Sequence, residues 1–481
     1  MDAHASQPMD KSLPTDPAGV TGQLATWLAG FSLADVPERV RERAKLITLD
    51  GIGCAIVGAQ LPWSKTAVEI VTRLEGTGDA PIIGWGRTTS LPAAALLNGT
   101  FIQGFELDDY HLQAPLHSAS VVLPSLLACA QTLKQVSGAQ FLRAAIAGYE
   151  VGPRVGLALH GAQMLSRGWH SGSVFGTHAS AAAAGALLGL NAAQFEDALG
   201  LAGTQSAGLM AAQYEAMCKR MHHGFSSRNG LYAAVLAQGG YTGIKRVFER
   251  PYGGFLAAFG EGHDPDASQI AAGLGSKWET ERIVIKPYAA MGGIHAPLDT
   301  LFDIGKRRAL KADDIESIEV ELSHAVYHHG WWEIERPIEP IGAQMNIGYA
   351  LAVGVLDGAA MVKQFAPSRI NQDDVWALIP RIKALHNPAF DQLGPTGRGN
   401  TVMRVRFKDG TLLAGERAGS RAALTPIPAE EIREKYRALT TGLIDNARRD
   451  AIERLVLSLE SVADLRELAG LLAAPVGAAF G

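Results

Sequence analysis

Cysteine is scarce: the 481-residue chain has three, Cys54, Cys129 and Cys218, and none stands in a CxxC spacing. That pattern excludes a disulfide framework and a cysteine zinc site, and it fits a reducing compartment such as the cytoplasm. Cys54 and Cys129 fall in apolar, small-residue stretches, where buried free thiols are common. Charge is also sparse, at 19% of residues, and the net value of -5 is spread along the chain without a basic run or stripe. A nucleic-acid partner and an anionic-membrane partner are therefore not expected. Long apolar runs are missing too. The most apolar window, Ala179 to Leu190, is shorter than the ~20 residues that a membrane-spanning helix needs, and reads as a buried helix. There is no Walker loop, no HExxH and no GxSxG elbow. GIGCAI at 51–56 lacks the third glycine of a dinucleotide fingerprint and follows a helical pattern, so its glycines read as packing positions. His222-His223 and His328-His329 are adjacent pairs without the i,i+4 spacing of common zinc ligands, and neither a metal nor a cofactor is expected.

What the chain has in quantity is apolar surface. Hydrophobic residues make up 47%, enough for a large core, and the length points to two or three domains. Residues 1–17 are polar and proline-bearing, without the basic-then-apolar order of a secretory signal, and read as a disordered tail. Over 18–278 the pattern is helical. Val40, Ala44, Ile47, Gly51 and Cys54 or Ala55 recur at helical spacing after Pro37, and several helices are rich in Gly and Ala. Over 279–415 the pattern changes. Ile318, Val320 and Leu322 alternate with Glu319 and Glu321, and Met403, Val405 and Phe407 alternate with Arg404 and Arg406 before a Lys408-Asp409-Gly410 turn. Helical stretches near 296–309 and 343–362 lie between these strands. Residues 416–481 turn helical again and should return to the first body. The fold class is mainly α: a large all-helical domain plus a smaller α+β domain.

Chemistry-bearing residues gather in four places. Glu106-Leu-Asp108-Asp-Tyr110-His111 is followed, after a proline turn, by His117 and by Ser118 or Ser120 as the cap of an apolar helix. A histidine at a helix N-terminus sits in a positive field that lowers its pKa and attracts anions. Arg167-Gly-Trp-His170 precedes Ser171 and the alanine-rich helix. Lys219-Arg-Met-His222-His223 concentrates cationic and ionisable groups, and Lys286-Pro-Tyr288 is followed by His295. Taken singly, each could be a solvated or satisfied polar patch. Together they form an inventory for gripping a multiply charged carboxylate and moving protons.

At these clusters the chain resembles the MmgE/PrpD family, which includes 2-methylcitrate dehydratases, cis-aconitate decarboxylases and iminodisuccinate epimerases. The resemblance spans about residues 22 to 470. It rests on ELDDYH at 106–111 with His117, GWHSGSVFGT at 168–177, KRMHHG at 219–224, GGYTGIKRVFERPYGGF at 239–255, KPYAAMGGIH at 286–295 and Tyr349 in AQMNIGYALAVGVLDG. It implies a large helical domain with a smaller α+β lid, a homodimer, and a site in the cleft lined by Glu106, Tyr110, His117, His170, Lys219, Lys286 and Tyr349. Within the family, ELDDYHxxAPLHSASxVLP and ERPI at 335–338 are most similar to the fungal itaconate-forming decarboxylases. Many relatives have Asp where Glu106 stands and Thr where Tyr110 stands, and the mammalian decarboxylase has a histidine at the position of Met291.

The expected reaction is cofactor-free decarboxylation of a cis-aconitate-like substrate. His117 is the leading proton donor, Lys219, Lys286 and His170 bind carboxylates, and Tyr349 orients the substrate or relays a proton. Asp108, His111, His222 and His295 join Glu106 and Tyr110 as substrate-binding candidates. Dehydration of a 2-methylcitrate-like hydroxy acid, or unreactive polycarboxylate binding, would draw on the same residues.

Overall fold

Small residues decide how closely the helices approach. In the computed structural model, which describes residues 11–480, the Cys218–Gln238 helix packs against both Leu91–Ile102 and Gly176–Leu188. At the first crossing Gly99 and Gly224 meet backbone to backbone, and a Cβ added to Gly224 would lie 2.1 Å from the Leu96 carbonyl oxygen. Only glycine permits that approach. It sets the N-terminal turns of Cys218–Gln238, which carry Lys219, Arg220, His222 and His223, beside the end of Leu91–Ile102, from which the chain runs on to Glu106. Ser118–Ala130 and Gly138–Ala158 complete the buried layer around Gly176–Leu188. The glycines of GIGCAI lie inside the Glu38–Gly58 helix, where Gly51 faces Ala119 and Leu123, so their role is packing. Cys54 and Cys129 are buried free thiols.

The first body is helical, as its periodicity indicates, and two short antiparallel ribbons join it; of their four strands the sequence marks one, the strand-like run of Ile283 and Ile285 before Lys286. Ala80–Ile82 pairs with Arg87–Thr89. Asp109–His111 pairs with Ile283–Ile285 in the register Asp109↔Ile285, Tyr110↔Val284, His111↔Ile283. The other three, of three residues each, are too short to show an alternation of their own. The second ribbon matters most, because it delivers Lys286 to the segment that holds Glu106 and Asp108.

The α+β unit is built on a four-stranded sheet in the order Ile382–His386, Ile315–Leu322, Thr401–Phe407, Leu412–Arg417. The Lys408-Asp409-Gly410 hairpin forms as its sequence indicates. Ile382–His386, which the sequence reading leaves out, adds in parallel to Ile315–Leu322. His295–Arg307 covers the sheet, and Ile347–Asp357 packs on that helix. Ala429–Thr440 and Asn446–Leu457 return to the first body and pack on Glu38–Gly58. Lys435 there lies 2.6 Å from Asp50 Oδ1 and donates to the Leu107 carbonyl at 2.6 Å.

Of the expected disordered tail at 1–17, residues 1–10 lie outside the described residues. The rest departs from that expectation. The Thr15 amide and hydroxyl both donate to Glu196 at 2.9 Å, and the Ser12 carbonyl accepts from the Ala193 amide at 3.0 Å. Among the described residues no single helix is long and apolar enough to cross a membrane. Glu38–Gly58 and Pro62–Glu75 reach that length only as a pair bent by 87°.

Candidate active site

After a turn at Gln103–Phe105 the backbone enters the left-handed region at Glu106, with φ 54°. A non-glycine residue there costs on the order of 1–3 kcal/mol and persists only where its surroundings hold it. Here they do. The Glu106 carboxylate contacts the Lys219 ammonium, accepts from Lys286 at 2.7 Å and from Gln103 Nε2 at 2.9 Å, and has Arg220 3.7 Å away. Lys219, Arg220, Lys286 and Glu106 are all at most 4% exposed. Burial pushes the Glu106 carboxyl up, but Lys219 and Lys286, with His117 and Arg220, outweigh it and hold it well below its ordinary range. Burial lowers Lys219, and Glu106 offsets part of that.

The neighbouring carboxylates have separate tasks. Asp109 accepts from the Ser118 amide and, at 2.9 Å, from the Ala119 amide, so it caps the Ser118–Ala130 helix from the ribbon. The expected caps, Ser118 and Ser120, do not fill that role: Ser118 is already the first helical residue, and the Ser120 hydroxyl donates to the His117 carbonyl. His117 is the residue at the cap position, and its Nδ1 shares a 2.9 Å hydrogen bond with Asp108 Oδ1. Burial raises the Asp108 carboxyl to about 7, with Lys286 opposing and Glu106 adding to the shift. Asp109 rises to about 8, again through burial and then through Asp108. Burial, reinforced by Lys286, holds His117 well below its usual value, and Glu106 only partly offsets this.

Three more imidazoles stand behind His117. His223 lies 4.8 Å from it, ring centre to ring centre, and 5.2 Å from His170, which lies 4.4 Å from His222. Burial keeps His170 and His223 well below their ordinary values and brings His222 down to about 4. These rings are neutral near pH 7.

A cavity of about 330 Å³, within the range of small-molecule sites, opens between the helical body and the α+β unit. The body contributes Glu106, Tyr110, His117, His170 and Lys219. The second unit contributes Lys286, Met291, His329, Arg398 and Ser420. Six of the residues singled out in the sequence therefore share one hollow, and His117 faces it together with both lysines. Asp108 and His222 stand one layer back, behind His117 and His170.

Three further candidates also fall outside the cavity lining. Tyr349 is buried, and its hydroxyl donates to the Gln364 carbonyl at 2.7 Å. His111 pairs with Glu279 at 3.0 Å, both fully buried, and pins the ribbon rather than binding a ligand. His295 Nε2 lies 3.0 Å from the Ala290 carbonyl and packs edge-on against Tyr110 and Tyr288. The Tyr349 hydroxyl, His111 Nε2 and His295 Nε2 are thus each taken by a protein group, while His295 Nδ1 is buried without a hydrogen-bond partner.

The structure adds Arg220, His223, His329, Arg398 and Ser420. Arg220 and His223 belong to the KRMHHG segment that the sequence reading treated as one cluster. His329 was noted only as half of an adjacent pair, and Arg398 stands in the glycine-rich loop GPTGRGN with no pattern around it. Arg398 is partly buried and forms no ion pair among the described residues, and burial lowers its pKa. One potential metal-ligand atom from each of Asp108, His117 and His223 lies within 4.8 Å of the others, a convergence brought about by folding and not by local spacing.

Comparison with known proteins matches residues 22–268 to the MmgE/PrpD N-terminal domain and residues 288–461 to the MmgE/PrpD C-terminal domain. The chain is 44% identical over 474 residues to the cis-aconitate decarboxylase-like protein oryM of Aspergillus oryzae, covering 95% of this chain and 98% of that one. It is 42% identical over 475 residues to the cis-aconitate decarboxylase of Aspergillus terreus, covering 95% and 97%. The human cis-aconitate decarboxylase is 26% identical over 472 residues, with 95% of each chain covered.

Removing one partner from a buried ion cluster leaves the others uncompensated, at a cost of about 3–5 kcal/mol. Glu106→Gln is expected to lower the denaturant midpoint accordingly. An added polycarboxylate such as citrate should recover part of the loss by binding between the freed ammonium groups. An unchanged midpoint would show that Lys219 and Lys286 are satisfied without Glu106.

Proposed function

The chain belongs to the MmgE/PrpD family, and we propose that it is a cofactor-independent decarboxylase of a cis-aconitate-like tricarboxylate, releasing carbon dioxide and itaconate. The observation that carries this reading is the hydrogen-bonded Asp108–His117 pair facing a buried cavity that also holds Lys219 and Lys286. Similarity to decarboxylases over nearly the whole chain supports it.

In such a substrate the departing carboxylate sits on a methylene beside a carbon–carbon double bond. As the bond to that carboxylate breaks, its electron pair forms a new double bond and displaces the old pair onto the far alkene carbon. That carbon takes a proton. The trianion and one proton thus become a dianion and carbon dioxide, and the allylic shift itself holds the electrons. The protein must anchor carboxylates and place one acid. Each ammonium carries three donors; Glu106 takes one from each lysine, and the remainder can face substrate. Arg398 and His170 reach the cavity from opposite units and can hold the carboxylates that stay. His117, backed by Asp108, delivers the proton.

Proton NMR of the products from cis-aconitate, trans-aconitate and 2-methylcitrate tests the assignment. Itaconate from cis-aconitate is expected. An alkene formed from 2-methylcitrate without carbon dioxide would replace this reading with dehydration. A positioned acid typically contributes ~10²–10⁴-fold, so His117→Ala should lower kcat by about that factor while the folded far-UV spectrum persists.

The pH profile follows from the pair. With His117 held low and Asp108 near 7, the pair carries one proton below about pH 7 and loses it as pH rises. The kcat/KM value, which reports ionisations of the free enzyme, should therefore fall on the alkaline side of about 7. Asp108→Asn should move that limb to lower pH, because His117 then titrates alone. A profile unchanged in Asp108→Asn would remove Asp108 from the proton-donating pair.

We further propose a cytoplasmic homodimer. Tyr232, Val235 and Leu236 on the Cys218–Gln238 helix are exposed, as are Tyr241 and Ile244 just beyond it. Exposed apolar patches of this kind mark interfaces. Sedimentation should give twice the 50.9 kDa chain mass, and Val235→Glu should shift the protein toward the monomer. A wild-type monomer at micromolar concentration would overturn the dimer.

A further inference from the structure

The reaction proposed above uses Asp108 and His117 but makes no demand on His223. That residue is fully buried, and neither of its ring nitrogens has a hydrogen-bond partner among the described residues; Asp108 Oδ2 is likewise unpartnered. Buried polar atoms in this state cost on the order of 1–3 kcal/mol each and call for an explanation. The surroundings nonetheless keep the ring in place. A Cβ added to Gly172 would lie 1.9 Å from His223 Nε2, so the glycine leaves the imidazole the space it occupies.

We propose that Asp108, His117 and His223 form an open three-ligand site for a divalent transition metal of the Zn²⁺ class. One ligand atom from each lies within 4.8 Å of the others, so small rotations of the three side chains would close them around a metal at bonds of ~2.0–2.2 Å. Burial leaves both imidazoles neutral, with lone pairs free. Two nitrogens and one carboxylate favour Zn²⁺, Cu²⁺ or Co²⁺, whereas Mg²⁺ and Ca²⁺ require mostly oxygen. The nearby charges divide: Lys219, Lys286 and Arg220 oppose a cation, while Glu106 favours one. His117 lines the cavity, so the fourth coordination position opens toward it. Metal bound there occupies the side chains of the proton-donating pair. Metal loading and proton delivery therefore exclude each other, and the enzyme is one that such a metal reversibly inhibits.

The test uses the full chain after chelator treatment and without substrate, so it stands independently of the decarboxylase reading. Co²⁺ is titrated by its visible absorption and Zn²⁺ by calorimetry, in the wild type and in His223→Ala. One metal per chain is expected in the wild type. Second-shell partners are worth ~10–100-fold in metal affinity, and a ligand no less, so His223→Ala should bind at least tenfold more weakly. Zn²⁺ at a concentration that halves wild-type turnover should leave the turnover of that variant, whatever its metal-free level, unchanged. If His223→Ala does not fold, His223→Gln, which refills the space, is read in its place. The site is overturned if the wild type binds no metal, or if the folded variant binds it as the wild type does.

Discussion

The Glu106 carboxylate, held between Lys219 and Lys286, is the interaction on which the rest of the site depends. Its three members come from a turn after one helix, the first turn of another, and the strand that leads into the second unit. None of them could be buried alone, because an isolated charge in an apolar interior costs several kcal/mol. Their mutual compensation therefore acts as an assembly condition. The chain can bury this region only by bringing 106, 219 and 286 together, and once they are together the cavity wall exists. The left-handed backbone at Glu106 is the local cost of aiming that carboxylate correctly.

A second set of contacts ties the body to the α+β unit. Gln344 Nε2 donates to the Phe105 carbonyl at 2.8 Å and to the Ala289 carbonyl at 3.0 Å, while its side-chain oxygen accepts from Arg220. One fully buried amide thus touches the residue before Glu106, the residue after Lys219 and the loop beyond Lys286. The Asp109–His111 ribbon performs the same task from the other side, locked by the His111–Glu279 pair. Side chains that a reading for chemistry takes as ligands prove to be the bolts of the frame.

This is the dividing line for what the sequence could disclose. Periodicity located the helical body, the Ile315–Leu322 strand and the 401–417 hairpin, because burial on one face writes a repeat into the residues themselves. The density of His, Lys and carboxylate marked the segments that carry Glu106, His117, His170, Lys219 and Lys286, because those groups are expensive to keep between apolar helices, and the family resemblance picked those residues out within them. Which histidine faces the hollow and which one secures a strand is set by long-range contacts that leave no local trace. His111 and His117 stand six residues apart in one motif and have opposite fates. Arg398 shows the converse: it lines the cavity from a loop whose glycines and threonine carry no repeat. Asp109, not a serine, caps the helix after His117 because the ribbon carries its carboxylate there, and hydroxyl spacing alone points elsewhere.

The same geometry explains why so polar a site can lie so deep. An allylic decarboxylation needs no electron sink, so the protein's task reduces to placing charge. Lys219, Lys286 and Arg220 against Glu106 leave the hollow with cationic excess before any ligand enters, and they stay in place because they are already buried and paired. In a water-poor cavity fixed charges act far more strongly than in solvent. The neutral imidazoles add little to that field, and neutrality suits them, since a cationic His117 would raise the cost of an already positive pocket. A polyanion entering the site would reverse the balance. On the proposed reading, it supplies the negative charge that lets His117 become cationic and serve as the proton donor. On that proposal substrate binding and acid activation are one electrostatic event, and the geometry that would permit it is the grouping of the lysines, the glutamate and the Asp108–His117 pair around one cavity.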